Sequence, residues 1–281
     1  MPDPLRQEIE TVAATSGAAA VAVAFHDYET QTSWSCHGER WFHAASTIKV
    51  AVLVGLFAAV EEGRFGLDDR LHVRNRFLSA HDGTAYAIGS ERDSNGEVHA
   101  AIGKLLRIGT LAEHMIATSS NLATNLLLDL VGVGPARAAV ERLGVAGIDL
   151  RRGVEDEAAF AAGLNNRVTA DGLVGLFRLI EERRALSPAA ADAMLGILHR
   201  QAFRSGIPAG VPETVRIEAQ FAHKTGEMST VTHDAGLVYL PDRAPYAVAI
   251  LTEWTPDAAG DRRAAVAQVS RAVYRQLAER A

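Results

Sequence analysis

The stretch Ser46-Thr47-Ile48-Lys49-Val50-Ala51-Val52-Leu53-Val54-Gly55-Leu56-Phe57-Ala58-Ala59-Val60 is apolar on nearly every side beyond Lys49. A surface helix carries one apolar stripe, whereas a helix apolar all round belongs inside a core. The run is too short to span a bilayer. It predicts a buried central helix that starts at Ser46, with Gly63 placed to end it. One charge enters this helix, Lys49, and lysine is scarce here. Of 28 basic residues only Lys49, Lys104 and Lys224 are lysine; the rest are arginine. Arginine cannot lose its proton in a protein, while a buried lysine can.

Outward from that helix, strand signals occupy 18–26 and 32–37 on one side, and 216–223, 236–240 and 246–252 on the other. Pro241-Asp242-Arg243 marks a turn between the last two. Helical spacing covers 110–115, 121–131, 137–143 and 170–183. Ser187-Pro188 reads as a helix start, and 261–278 as a closing amphipathic helix. Residues 75–109 are polar and irregular and read as a long surface loop with one short helix. Strands at both ends with helices between predict an α/β fold of the α+β kind. Both chain ends join one antiparallel sheet flanked by helices (1–40 and 205–281), and the middle forms a helical lobe (41–204). The two lobes make one compact domain, with a cleft between them as the expected ligand site.

The chain has 281 residues, 48% hydrophobic and 22% charged, which is ordinary for a globular enzyme. A net charge of −6 argues against nucleic acid or an anionic membrane as the main partner. A monomer is expected. The single cysteine, Cys36, is expected to form no internal disulfide and no cysteine-based metal site, and reads as a small buried hydrophobe. The start, Met-Pro-Asp-Pro-Leu-Arg-Gln-Glu, is not a secretory signal. The expected location is therefore either cytoplasmic or that of a processed, exported form. Ten histidines show no His-Glu-x-x-His spacing. Gly132-Val133-Gly134-Pro135 lacks a dinucleotide loop's third glycine, and a Gly-x-Ser-x-Gly elbow is missing. His233-Asp234 reads as a turn or strand-start pair, and Trp41 and His43, just before Ser46, as packing or as lining of the pocket.

Three short motifs carry the chemistry. Ser46 and Lys49 are three residues apart at a helix start, so their side chains share one face. That spacing suits a nucleophile and its base: a neutral lysine amine can take a serine proton as the oxygen attacks an acyl carbon. Ser119-Ser120-Asn121 precedes a helix, and His223-Lys224-Thr225-Gly226 closes a strand. Together the motifs resemble the active-site set of the penicillin-recognising serine hydrolases, in particular the class A β-lactamases. The resemblance covers roughly residues 18–275, with Ser120 where that family commonly has aspartate. It implies that Ser46 opens a β-lactam amide through an acyl-enzyme, without metal or organic cofactor. In this reading Ser119 relays a proton to the leaving nitrogen, Asn121 binds the substrate's side-chain amide, and Lys224 and Thr225 bind its carboxylate. Gly226 lets the substrate approach, and the Ser46 and Glu227 backbone N–H groups form the oxyanion hole. Glu227 is an unusual neighbour for an anionic ligand.

The family also has a loop glutamate that activates the deacylating water, with an asparagine four residues later. Glu155 lies 34 residues after Asn121, as in the family, but four residues further stands Ala159. Glu157, followed by Ala161, is a second candidate, and the whole run 151–157 also reads as a solvated charged loop. Two alternatives therefore stand beside a β-lactamase: a related serine peptidase, amidase or esterase acting on an acyl-peptide, and a penicillin-binding or sensor protein that stays acylated.

Overall fold

The computed structural model describes residues 3–258 and 260–278. Residues 1–2, 259 and 279–281, which fall in the expected sheet lobe, lie outside the described residues. Contacts divide the chain into two units. The first comprises Met1–Thr47, Val168–Leu179 and Phe203–Ala281; the second comprises Ile48–Arg167 and Ile180–Ala202.

The first unit is built on a five-stranded antiparallel sheet that joins both chain ends, as expected. Its order is Gln220–Met228, Val231–Tyr239, Tyr246–Glu253, Ala20–Asp27, Thr32–Cys36. The N-terminal strand pairs with the last one, Val23 opposite Ile250. One face carries Val23, Phe25, Phe221, Val238 and Ile250 into a core closed by the helices Pro4–Ser16 and Arg262–Ala278. The first of these helices went unread in the sequence, although its punctuation is there. Asp3 caps it by accepting from Leu5 N and Arg6 N, proline stands in its first turn, and Gly17 closes it at φ +77°. Cys36 is buried, as expected.

Two strand expectations shift. The segment expected as a strand over 216–223 is partly helical, with a short turn at Glu213–Arg216, and the strand begins only at Gln220. Ile217 is 80% exposed, so its apolar character marks no sheet face. The Lys224 motif therefore lies inside an edge strand that continues through Glu227 to Met228 rather than closing it. Of the two readings of His233-Asp234, the strand-start one holds and the turn does not. The pair sits within Val231–Tyr239, opposite Gly226 and Thr225.

In the second unit the predicted central helix, Lys49–Glu61, is buried from Lys49 through Ala59. A side chain at Gly55 would meet Ala136 Cβ at 2.6 Å, so glycine lets the helix Val133–Arg142 pack directly on it. The helices Asn121–Val131, Ile108–Ala117 and Pro188–Leu198 complete its surroundings. Residues 75–109 are more ordered than a bare loop. Phe77–Leu78 pairs with Ala85–Tyr86, Ser90–Arg92 makes one tight turn, and Gly96–Ala100 is the expected short helix. Among the described residues no helix is long and apolar enough to cross a membrane.

Candidate active site

In the first unit, Ser46 lies in the one-turn helix Ala45–Ile48, whose chain runs on into the Lys49 helix. The residue before it, Ala45, has φ +44°, a conformation that L-residues other than glycine rarely adopt. Such a residue persists only where its surroundings fix it. His43 Nδ1 accepts from Ala45 N at 3.0 Å, and the His43 carbonyl accepts from His233 Nε2 at 2.9 Å. The other ring nitrogen, His233 Nδ1, accepts from Thr252 N. These partners assign one neutral tautomer to His233, and burial pushes its pKa down to about 4. A sheet histidine thus braces the backbone just ahead of the serine.

The edge strand packs against the same turn. A side chain at Gly226 would lie 3.1 Å from Thr47 N and 3.2 Å from the Ala44 carbonyl, so only glycine leaves this approach free. Lys224 is fully buried, and its Nζ donates to the Thr225 carbonyl at 2.9 Å. Burial lowers its pKa to about 7, partly countered by Asp234. Asp234 also accepts from Ile207 N and pairs with His223 Nδ1 at 2.8 Å. Glu227 is paired with Arg263 at 2.7 Å, which offsets the charge that looked out of place beside an anionic ligand.

In the second unit, Lys49 Nζ donates to the Ser119 carbonyl at 2.7 Å, to Asn121 Oδ1 at 2.8 Å and to Ser119 Oγ at 3.2 Å. The turn holding these acceptors is strained: Ser119 has φ +58°. Ser120 caps the following helix by accepting from Ala123 N. What fastens this corner carries no sequence signal. Asp93, from the irregular segment, accepts from Ser120 Oγ at 3.1 Å, Asn121 N at 3.1 Å and Leu122 N at 2.9 Å. Only the fold brings a carboxylate 27 residues upstream to this helix start.

The glutamate loop belongs to the same unit. Asn125 clamps Val154 on both sides, accepting from its N at 2.8 Å and donating to its carbonyl at 2.9 Å. Asn166 holds Arg151 and Arg152 in the same manner. Asp156 is buried, accepting from Ala80 N and Ala159 N. Between these anchors Glu155 has φ +58°. Its side chain is 23% exposed and accepts from Asn121 Nδ2 at 3.3 Å, whereas that of Glu157 is 76% exposed. The structure therefore gathers Lys49, Ser119, Asn121 and Glu155 in one unit and leaves Glu157 at the surface. It sets Ser46, Lys224, Thr225, Gly226 and Glu227 in the other.

Away from these residues, Glu10, Cys36 and His37 bring potential ligand atoms within 4.8 Å of one another. Burial raises the Cys36 pKa, which disfavours the thiolate a metal would need.

The family model described as "Beta-lactamase enzyme family" matches residues 4–277. Among solved structures, the chain is 26% identical to a β-lactamase from Sphaerobacter thermophilus DSM 20745, covering 97% of this chain and 96% of that one, with a TM-score of 0.80. It is 28% identical to PBP-A, solved in a mutant form as an acyl-enzyme complex with penicillin G (98% and 96% covered, TM-score 0.79). A variant of the last common ancestor of Gram-negative bacteria β-lactamase class A has a TM-score of 0.84 at 24% identity, covering 99% and 100%, and bears on the fold. No curated protein matches the chain. With a family match over nearly its whole length, and with a fold shared with the class A ancestor variant, the chain belongs to the β-lactamase enzyme family and is a serine β-lactamase-like hydrolase.

Proposed function

We propose that the protein opens β-lactam amides through an acyl-enzyme on Ser46, and that water then releases the product. The observation that carries this reading is the burial of Lys49 with its Nζ shared between Ser119 and Asn121. An ammonium donates three hydrogens and finds three acceptors there. As a neutral amine, Lys49 keeps a lone pair for the Ser46 proton. Ser46 Oγ then bonds to the carbonyl carbon, and the Ser46 and Glu227 N–H groups receive the developing oxyanion. The C–N bond breaks, and the nitrogen takes a proton relayed through Ser119. Asn121 holds the side-chain amide, and Lys224 with Thr225 holds the carboxylate. In the second half, Glu155 takes a proton from water, the hydroxide adds to the ester carbonyl, and Ser46 leaves reprotonated.

Time-resolved intact-protein mass spectrometry with a simple penicillin, following free drug in the same samples, tests this. Steady drug loss with a transient adduct is expected, Ser46→Ala should abolish labelling, and Glu155→Gln should trap the adduct. Labelling that survives Ser46→Ala would sink the assignment. A second reading, acylation with slow release, draws support from Ala159, a buried residue that offers the loop no polar side chain, and from the PBP-A acyl-enzyme. A lasting wild-type adduct with little drug loss would select it. Neither adduct nor loss would turn the search to esters and acyl-peptides.

A further inference from the structure

We propose that Arg92 is the positioning residue for Glu155, holding its carboxylate in the orientation that deacylation uses. The inference rests on the reading of Glu155 as the group that activates water. The backbone on either side of Glu155 is pinned: Val154 by Asn125, and Asp156 by Ala80 N and Ala159 N. Those anchors fix the chain but not the carboxylate. Asn121 Nδ2 reaches Oε1 only at 3.3 Å, and the same amide donates at 2.8 Å to the Arg92 carbonyl. The amide –NH2 has a hydrogen for each, and the bond to Glu155 is the longer and weaker of the two. The other oxygen, Oε2, is buried and accepts no aligned hydrogen bond; its close contact is the ion pair with Arg92 Nε at 2.6 Å. Ala158 and Ala159, next along the loop, offer no polar side chain.

Arg92 therefore meets the site twice. Its backbone carbonyl takes up Asn121, and its guanidinium meets Glu155 while Nη1 reaches Glu157 Oε1 at 2.7 Å. The guanidinium thus bonds Glu157 and attracts the Glu155 carboxylate by charge, so one side chain meets both carboxylates. Both glutamates and Arg92 line a cavity of about 270 Å³ with Ser79, Thr84 and Tyr86, which leaves room beside the carboxylate. The irregular segment, which read from sequence as a long surface loop, thus supplies a part of the site that no motif marks. Arg92 is about half exposed. Removing its side chain breaks a screened ion pair and leaves the carbonyl in place, so the fold should survive.

The test separates the two chemical steps. kcat/KM for a penicillin reports acylation, and kcat together with decay of the Ser46 adduct reports deacylation. In Arg92→Ala, deacylation should slow about tenfold while acylation stays within about twofold, because a misplaced group costs rate only in the step that uses it. Arg92→Lys should recover part of the loss. Combined with Glu155→Gln, Arg92→Ala should add little further loss, since both act through one carboxylate. A matched thermal transition in the variants checks folding. If Glu155→Gln traps the adduct but Arg92→Ala deacylates normally, the positioning role is overturned and the base survives. If Arg92→Ala slows both steps alike, or its effect multiplies fully onto that of Glu155→Gln, Arg92 acts elsewhere. If Glu155→Gln turns over normally, the underlying reading fails and this proposal falls with it.

Discussion

Lys224 is the residue whose surroundings make the most specific demand on solution behaviour. Taking its ammonium out of water disfavours the charged form, and Asp234 restores only part of that loss, leaving a pKa of about 7. Below that pH the side chain is a cation able to meet a substrate carboxylate; above it, the neutral amine dominates. Because kcat/KM reports groups in the free enzyme, it should fall roughly tenfold per pH unit above about 7 for a penicillin carrying its carboxylate. The methyl ester of the same drug should lack that limb. A profile that stays flat to pH 9 for the acid would remove Lys224 from carboxylate binding. His233, pushed down to about 4, should contribute no limb between pH 5 and 9, since it stays neutral throughout that range. Its brace on the Ser46 turn is a matter of shape. His233→Ala should therefore lower acylation at every pH, by up to about a hundredfold if the turn relaxes by an ångström, and leave the pH dependence alone. A changed pH profile with an unchanged plateau would contradict that.

At the scale of elements, the helix Asn121–Val131 shows how a distant carboxylate can stand in for a local one. Its first turn leaves backbone N–H groups without partners inside the helix, and negative charge is favoured there. Asp93 supplies that charge to Asn121 N and Leu122 N while also holding the Ser120 hydroxyl. Ser120 is too short to reach across by itself and serves as the cap for Ala123 N. The irregular segment and the Ser119–Asn121 corner are therefore fastened to each other within one unit. Asp93→Ala should leave these donors unsatisfied, at about 1–3 kcal/mol for a buried hydrogen-bonding group. For a chain of this size that corresponds to a thermal midpoint lower by several degrees, roughly 2–4 °C per kcal/mol. Asp93→Asn keeps shape and one acceptor and should lose about half as much. Calorimetry of the two variants decides it, and unchanged midpoints would assign the helix start to solvent instead. None of this was legible in the sequence, because Asp93 stands in a stretch with neither apolar period nor motif. The three short motifs stood out in the sequence because each is a contiguous run within one turn of helix or one strand.

Across the whole molecule, hydrophobic pattern revealed most of the architecture. The Lys49 helix announced itself by being apolar all round, and the pairing of the two chain ends followed from strand signals at both. Reading failed where burial and polarity part company. Thr232, His233 and Asp234 are buried polar residues inside a strand, so alternation could not find them. The Pro4–Ser16 helix has a weak apolar face, Leu5, Ile9 and Val12, which gains meaning only against the last helix. That dependence makes a prediction. Arg262–Ala278 carries Val266, Val269, Val273 and Tyr274 into the core shared with Leu5, Ile9, Phe221 and Val248. Burying each such side chain is worth about 1.5–3 kcal/mol. Four of them, with the partners they would uncover, approach the roughly 5–15 kcal/mol that holds a domain together. A chain ended at Asp261 keeps all five strands and every proposed catalytic residue, yet it should show no cooperative thermal transition, should partition to the insoluble fraction, and should fail to label with penicillin. A soluble truncated chain that melts cooperatively and still acquires the Ser46 adduct would mean that the sheet stands without its closing helix, and that this core is less central than its burial implies.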